Sequence, residues 1–474
     1  MFLRLLASLL TILVSSQTDF DALPGRLSSA ITRDTRQVTI TITPGRYFYQ
    51  ESHLAVQNVH RPDLSIIIQA EGAEFIGVAS TSDGYLDAFV SLDSSDSADS
   101  AYDLPEPRQV LARPQVMDPK TGLCRVRADE KSISQWKAGN LYLVLTQWYT
   151  SRVFKVVKIA SGYIWFTVDP LLSNGHPAFD PDSDYKYGRV LPRYMLLDTG
   201  KTDSRAHRTS SSRFLTVVGS ELKAFSWTGG RFISNGGKDC LMQFYRSITD
   251  SVSVSQCQFE HIHGPVIQVQ HSPHFRFRSN RISQCWRSGV IIDYFSPDAV
   301  VAGNAFEQTG KLMIQDFAVL ARGSDFDIRN NLFCDFAYSA IGIGTHYTES
   351  IPASSSGFVR DNELFCSAGF NRGLMDSGAI YVYTVNKDVT ICRNYIHDIG
   401  GYGDNRGIFC DDGTINVKIL DNRILRIRNS YCIDLRRVSS IETDPRSSVR
   451  KANVGNRMDG NIVDGRVRFV NRDE

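Results

Sequence analysis

A short phrase recurs through the C-terminal half of the chain: a turn residue, one variable residue and then an apolar residue. Its nine occurrences, spaced by 23 to 34 residues, begin at Gly230, Cys257, Asn280, Asn304, Asn330, Asn362, Asn394, Asn422 and Asn456. Short stretches of alternating apolar and polar residues accompany them, such as residues 275–278 and 417–420. A repeat of this length, built from strands and not from helices, is typical of a solenoid.

The frequency of Asn at the start of the phrase suggests which solenoid this is. Asn tolerates the left-handed backbone conformation that a tight corner needs. Its amide can also bond to the Asn one coil away, so a column of Asn would form a ladder. We therefore predict an all-β chain, a right-handed parallel β-helix of about ten coils. Helices should be limited to a short N-terminal cap at residues 27–31.

The first sixteen residues have the layout of a secretory signal peptide. Arg4 precedes an apolar run at residues 5–14, and small residues follow it. The run is much shorter than the roughly 20 residues that span a bilayer. We expect residues 1–16 to be removed, which makes the protein secreted or periplasmic with no membrane insertion afterwards.

The rest of the chain divides into three regions. Residues 17–85 are predicted to form the first coils, and residues 215–474 the main β-helix. Between them, residues 86–214 contain a Ser- and Asp-rich linker and then strand-like segments without the repeat, which predicts a small inserted β domain. The aromatic phrase at residues 147–152 either faces carbohydrate or packs inside that domain.

The net charge argues against some classes of binding partner. The chain has 52 Lys and Arg against 51 Asp and Glu, a net charge of +1, so no overall field favours nucleic acid. We expect a monomer.

The nine cysteines include no CxxC pair, which argues against a zinc site. They are either small buried side chains or form one or two disulfides. Cys334 and Cys366 each lie four residues after an anchor, so they should stack on adjacent coils.

Strand alternation near the C-terminus predicts a column of outward-facing side chains. If Val382 and Cys410 point into the core, Tyr383 and Asp411 share an outward column, and Arg436 follows on the next coil. His346, on the preceding coil, falls just beyond this column.

Two carboxyl groups on adjacent coils could hydrolyse a glycosidic bond. Coils stack at about 4.8 Å, which places such groups roughly 5–9 Å apart, the range used by glycosidases. Asp376 is the predicted acid and Asp411, kept ionised by Arg436, the base or nucleophile, with Asp412 as its substitute. The residues predicted to bind substrate are Tyr383, His397, Arg406, Arg436 and His346. Asp293 and Asp316 are weaker candidates elsewhere on the β-helix.

The chain resembles the pectate-lyase-like right-handed parallel β-helix superfamily over about residues 20–85 and 215–470. The phrases at residues 376–381, 394–398 and 407–413 look like those of secreted β-helix glycoside hydrolases of the family 141 type. That resemblance implies a polysaccharide or glycan substrate and an α-fucosidase or xylanase type of activity. It maps the catalytic acids to Asp376 and to Asp411 or Asp412. We expect no cofactor and no metal, except calcium if the protein is a lyase.

Two other classes of function remain open from the sequence. A calcium-dependent polysaccharide lyase would need several acids for the ion and a base such as Arg436. A non-catalytic glycan-binding or adhesive β-helix would carry aromatic side chains along a groove without a close carboxylate pair.

Overall fold

The structure is a computed structural model of the 474-residue chain. It describes these residues: 9–49, 53–77, 115–118, 120–127, 141–147, 150–167, 193–198, 213–233, 240–262, 264–310, 316–350, 353–366, 376–400, 405–428, 430–436 and 439–470.

Strands make up nearly all of the described secondary structure. The helices are α1 Gln17–Asp21 and α2 Leu23–Ala30, and a 3-10 turn covers Ser439–Glu442. The first strands are β1 Leu9–Val14, β2 Gln37–Ile42, β3 Gly45–Tyr49, β4 Leu54–Gln57, β5 His60–Gln69 and β6 Ala73–Gly77. The next six are β7 Gln115–Asp118, β8 Leu123–Arg127, β9 Leu141–Gln147, β10 Thr150–Ala160, β11 Tyr163–Thr167 and β12 Arg193–Asp198.

The remaining strands form the longer part of the solenoid. They are β13 Leu215–Val218, β14 Glu221–Thr228, β15 Arg231–Ile233, β16 Met242–Tyr245, β17 Ile248–Ser255, β18 Gln258–Glu260, β19 Ile267–Gln270, β20 Phe275–Arg278, β21 Arg281–Ser283, β22 Val290–Asp293, β23 Ala299–Ala302, β24 Ala305–Glu307, β25 Phe317–Ala321, β26 Asp325–Arg329, β27 Leu332–Cys334, β28 Ser339–Ile343, β29 Ser355–Arg360, β30 Glu363–Phe365, β31 Ser377–Val382, β32 Asn386–Cys392, β33 Tyr395–His397, β34 Asn405–Cys410, β35 Val417–Leu420, β36 Arg423–Leu425, β37 Tyr431–Leu435, β38 Arg457–Asp459, β39 Ile462–Val463 and β40 Arg466–Phe469.

Three parallel sheets run along the solenoid, as the sequence predicted. Sheet 1 has 12 strands in the order β1-β2-β5-β14-β17-β20-β23-β26-β29-β32-β35-β38. Sheet 2 has 11 strands, β3-β6-β15-β18-β21-β24-β27-β30-β33-β36-β39, and sheet 3 has 11, β4-β13-β16-β19-β22-β25-β28-β31-β34-β37-β40. Each complete coil contributes one strand to each sheet, and β1 adds a twelfth strand at the end of sheet 1. The fold is a right-handed parallel β-helix of eleven coils, close to the number expected.

The inserted domain is a separate antiparallel sheet of six strands, in the order β12-β9-β10-β11-β8-β7. It interrupts the sequence of the solenoid without interrupting its hydrogen bonds. Leu54 of β4 pairs with Leu215 of β13, and Phe75 of β6 pairs with Phe232 of β15. The coils before and after the insertion therefore share one core. Trp148 and Tyr149 of the predicted aromatic phrase lie outside the described residues.

An Asn ladder follows the turn between sheets 1 and 2, but one predicted position is wrong by a residue. The ladder uses Asn331, whose Nδ2 donates to Asn362 Oδ1 at 3.0 Å and to the Val301 carbonyl at 2.9 Å. Asn330 is instead exposed with a φ of 52°. The ladder members are Asn280, Asn304, Asn331, Asn362, Asn394, Asn422 and Asn461.

This register also corrects the reason given for Asn. The left-handed backbone belongs to the residue before each ladder position, for example Asp361 with φ 58° and Arg393 with φ 54°. Asn is therefore needed for its amide, which satisfies the buried backbone groups of neighbouring coils. The last predicted anchor, Asn456, lies at another turn, where its Oδ1 accepts from the Val417 N–H at 3.0 Å.

Cys334 and Cys366 lie on adjacent coils as predicted, but the same one-residue shift means that they do not stack directly. Cys334 pairs with Phe365, so Cys366 is one residue out of register with it. Cys334 is half-exposed and Cys366 is buried. All nine cysteines are free, and every one except Cys334 is buried as a small apolar side chain.

The N-terminal residues close the first coil. The expected cap at residues 27–31 falls largely within α2, whose Leu23 and Leu27 are buried. The apolar run assigned to a signal peptide forms β1, which pairs in parallel with β2 and buries Ile12 and Val14. Cleavage after Ser16 stays a prediction. Neither described helix has the length and apolar character that crossing a bilayer requires.

Candidate active site

Three neighbouring strands of sheet 3 carry the candidate site. Tyr381 on β31 pairs with Phe409 on β34, and Phe409 pairs with Asp434 on β37. This is the register expected from alternation. The inward residues at these positions, such as Val382 and Cys410, are fully buried. Just past the strand ends, the Asp411 N–H donates to the Val382 carbonyl at 3.0 Å, which continues the column.

Asp411 is a carboxyl group held in a poorly solvated place. The Tyr381 hydroxyl donates a hydrogen bond to its Oδ2. Burial, and then repulsion from the carboxylates of Asp412 and Asp376, raises the pKa of Asp411 to about 7. Asp411 therefore binds a proton far more tightly than an ordinary aspartate does.

Asp376 has the opposite environment. Its Oδ1 lies 3.7 Å from Arg406 Nη1 and 4.0 Å from Arg436 Nη2. The Tyr338 hydroxyl donates to its backbone carbonyl at 2.6 Å, which fixes the corner where the residue sits with a φ of 60°. Two adjacent cations favour the ionised carboxylate.

A buried Asp434 explains why the two arginines are there. It accepts from Arg406 Nε at 2.5 Å, Arg436 Nε at 3.2 Å and Arg468 Nε at 2.6 Å. Three cations surround this one fully buried carboxylate. The surplus positive charge lies next to Asp376.

These contacts reverse the roles expected from the sequence. Arg436 follows Asp411 in the column, but its guanidinium turns toward Asp434 and Asp376. The cations therefore lie beside Asp376, and the raised pKa belongs to Asp411. Alternation places a long side chain in a column but does not determine where its charged end lies.

His346 joins the site through Asp412. Its Nε2 lies 2.8 Å from Asp412 Oδ2. The Thr348 backbone N–H donates to His346 Nδ1 at 3.2 Å, so Nδ1 is an acceptor and Nε2 carries the hydrogen that Asp412 accepts. His346 thus orients Asp412 while leaving a carboxylate beside Asp411.

Two predicted substrate-binding residues have other positions. His397 lies on β33 of sheet 2, where its Nδ1 is 2.7 Å from Asp398 and its Nε2 is 3.2 Å from Glu363. It is not brought to the site, because its strand faces a different side of the solenoid. Arg406 is at the site but is fully buried, with its guanidinium 3.9 Å from the centre of the Phe409 ring. It positions the acids from beneath.

The weaker candidate acids are neutralised by arginines. Arg287 Nε lies 2.8 Å from Asp316, and Arg322 Nε lies 2.8 Å from Asp293. Sequence reasoning missed Glu349, which accepts from the Tyr294 hydroxyl at 2.5 Å and from the His346 N–H at 3.3 Å. Its position three residues after His346 was the available signal, since it closes the turn that carries the histidine.

A row of rings continues upstream along the same edge of sheet 3. His271 stacks on Phe295 with a centroid distance of 5.3 Å and meets Tyr245 edge-on at 6.0 Å. Phe295 is 58% exposed. Tyr383, with its ring 4.8 Å from that of Tyr381, adds a partly exposed ring beside Asp411. A flat ligand could therefore lie along this edge.

Neither a protein-family model nor a curated protein matches the chain. Among solved structures, a glycoside hydrolase is similar over 95% of this chain and 96% of its own, with 10% identity and a TM-score of 0.50. An exopolygalacturonase from Thermotoga maritima is similar over 96% of this chain and 89% of its own, with 10% identity and a TM-score of 0.36. At such identity, likeness shows a shared fold, and the activity must be argued from the site.

Proposed function

We propose that the protein is a glycoside hydrolase that uses Asp411 as the proton donor and Asp376 as the base or nucleophile. The observation that carries this proposal is the contrast between the two carboxyl groups on adjacent coils. One is desolvated and faces other acids, and the other lies beside two arginines. Pairs of acids whose environments separate their pKa values are typical of acid–base catalysis.

The reaction follows from these two states. Asp411 donates its proton to the glycosidic oxygen as the bond to the anomeric carbon breaks, so the leaving sugar departs as an alcohol. Asp376 either attacks the anomeric carbon or takes a proton from the water that does so. After the reaction Asp411 is ionised, and it recovers its proton from water or from the water that completes the second step.

The neighbours of Asp411 keep it ready for this task. The hydrogen bond from Tyr381 orients the carboxyl group, and the carboxylate of Asp412, held by His346, disfavours its ionisation. Arg436, with its side chain 27% exposed, and Tyr383 supply a cation and a ring that a bound sugar could touch. The upstream rings at Tyr245, His271 and Phe295 would extend this contact along a polymer.

A lyase is less well supported by the same contacts. Its base would be Arg436, but that guanidinium is engaged by Asp434 and lies next to Asp376. Among the described residues, no three His, Cys, Asp or Glu side chains are grouped as a metal site.

For the substrate we propose a class, polysaccharide, and not a particular sugar. The N-terminal apolar run supports an exported enzyme acting on extracellular polysaccharide. Fucosylated glycans, xylans and pectic fragments are the first substrates to screen, following the resemblance of the site phrases.

The test is a screen for the release of reducing ends, followed by Asp411→Asn and Asp376→Asn on the best substrate. Asp388→Asn is the matched control, because Asp388 is exposed on sheet 1 and pairs with Lys418. We expect both site variants to lose hydrolysis and the control to keep it. If the two variants hydrolyse at the parental rate, the proposed site is wrong.

A further inference from the structure

The inserted sheet has one apolar face, and its opposite face carries cationic and aromatic side chains. Along β8 and β11, Cys124, Val126, Ile164 and Phe166 alternate with the outer residues and are fully buried. The outer residues form a surface that we call the cationic-aromatic face: Arg125, Arg127, Lys158, Tyr163 and Trp165. All five retain exposure to solvent. Because alternate residues of a strand point to opposite sides, the five share one side of the sheet.

The strand register brings these side chains into contact. Trp165 on β11 lies directly between Lys158 on β10 and Arg125 on β8, and Tyr163 pairs with Arg127. The Arg125 guanidinium is 4.2 Å from the centre of the Tyr163 ring and 5.3 Å from that of Trp165. Lys158 Nζ is 5.9 Å from the Trp165 ring. Cations and rings therefore alternate across three strands.

The Arg125 guanidinium is held in place through its Nε, and its two Nη atoms are left for another acceptor. Its Nε donates to Gln115 Oε1 on β7 at 2.8 Å. In the part of the chain that the structure describes, neither Nη of Arg125 donates a hydrogen bond to protein. The ring contacts and the Gln115 bond fix the planar group, so its Nη edge is preorganised for an acceptor from outside.

The charge on this face is not neutralised. Within the described ranges, Arg125, Arg127 and Lys158 form no ion pair with a carboxylate. Arg231 on the solenoid, by contrast, lies between Glu74 and Glu260 at 3.0 and 2.6 Å. Three cations without a carboxylate partner among the described residues therefore lie beside two aromatic rings.

We propose that the cationic-aromatic face binds an acidic polysaccharide, at a site separate from the Asp376–Asp411 pair. The apolar face of a sugar ring packs on Tyr163 and Trp165, while the sugar carboxylates accept hydrogen bonds from Arg125, Arg127 and Lys158. That the ligand is a glycan rests on the proposed function. That it is acidic follows from the charge of this face alone.

The experiment measures binding of the full chain to polygalacturonate by affinity electrophoresis and calorimetry, with dextran as a neutral probe. We expect binding to polygalacturonate that weakens as salt is raised, and none to dextran. The double variant Arg125→Gln/Arg127→Gln should raise Kd by about tenfold or more, because charge-assisted hydrogen bonds are lost. Lys158→Gln should act in the same direction.

Lys120→Gln is the matched control, since Lys120 is an exposed cation on the turn between β7 and β8. It should bind as the parent does, and unchanged thermal melting of every variant shows that the sheet remains folded. The proposal is overturned if the parent binds no polygalacturonate, if the double variant binds it like the parent, or if single-stranded DNA binds this face more tightly. Asp411→Asn should lose hydrolysis with binding intact, so the two proposals fail independently.

Discussion

Two columns of polar side chains run along the axis of this β-helix. The Asn ladder lies at the turn between sheets 1 and 2, and the acidic site lies at the end of sheet 3. In the ladder each member makes the same bonds as the next, for example Asn362 Nδ2 to the Ile328 carbonyl and to Asn394 Oδ1, both at 2.9 Å. At the site, each coil contributes a different group.

The difference shows how one architecture supplies both stability and chemistry. A repeated side chain meets its own complement on the next coil, so the buried amides of the ladder satisfy one another. Where the repeat is broken, unlike groups such as Tyr383, Asp411 and Arg436 follow one another. Their charges are then only partly compensated, which shifts proton affinities and leaves groups able to react.

The largest expected effect is that of Asp411→Asn. We expect kcat to fall by about 10²–10⁴-fold, the usual contribution of a positioned acid. An aryl glycoside, whose leaving group needs little protonation, should retain much more activity. Kinetics on both substrates check this, with Asp388→Asn as control. Equal losses on the two substrates would contradict the role of acid.

Asp376→Asn should lower kcat by a similar factor, but an aryl leaving group should not restore the activity of this variant. Its carboxylate acts on the anomeric carbon or on water, and this need does not depend on the leaving group. The same kinetic comparison measures it. If the aryl substrate restored activity to Asp376→Asn and not to Asp411→Asn, Asp376 would be the acid and Asp411 the base or nucleophile, as the sequence predicted.

On the ladder, Asn331→Ala should destabilise the fold and leave the chemistry intact. It removes the acceptor of the Asn304 backbone N–H and the amide donor to the Val301 carbonyl, and each unsatisfied buried group costs about 1–3 kcal/mol. We expect a loss of roughly 3 kcal/mol or more in the free energy of unfolding, measured in urea. The control is Asn330→Gly, since glycine adopts the positive φ of that exposed position freely. A similar loss in the control would place the ladder one residue earlier.

The pH dependence of stability offers a further comparison of the two columns. The pKa of Asp411 rises from 3.8 to about 7 on folding, so the folded chain binds the proton more tightly. This contribution is complete below pH 3.8 and is lost as pH rises through about 7. Unfolding at a series of pH values should show stability falling over that window, and Asp411→Asn should remove that decline. Asn331→Ala should leave the slope unchanged, and the same slope in Asp411→Asn would contradict the assignment.

The smallest expected effect is that of Asp412→Asn. It removes one of the two charges that raise the pKa of Asp411 while keeping an acceptor for His346 Nε2. The basic limb of the pH–activity profile should therefore move to lower pH, with the maximal rate reduced much less than in Asp411→Asn. A limb that does not move would show that Asp412 does not influence the acid.

The sequence by itself determined the repeat, the approximate number of coils and the columns of sheet 3. These depend on local alternation and on the period between turns, and both are visible without coordinates. The order Tyr383, Asp411, Arg436 follows from the inward positions of Val382 and Cys410. A one-residue ambiguity remained at Asn330 and Asn331, since both residues can occupy a turn.

Only the tertiary structure decided where charges meet. Arg436 was expected to serve Asp411, but the buried Asp434 draws its guanidinium toward Asp376. His397 was expected at the site, but its strand belongs to sheet 2. Long side chains reach across coils that are distant in sequence, and their final positions depend on the sum of charges around them. That sum is a property of the folded chain, which is why the column of Tyr383, Asp411 and Arg436 could be predicted and the contacts of its charged ends could not.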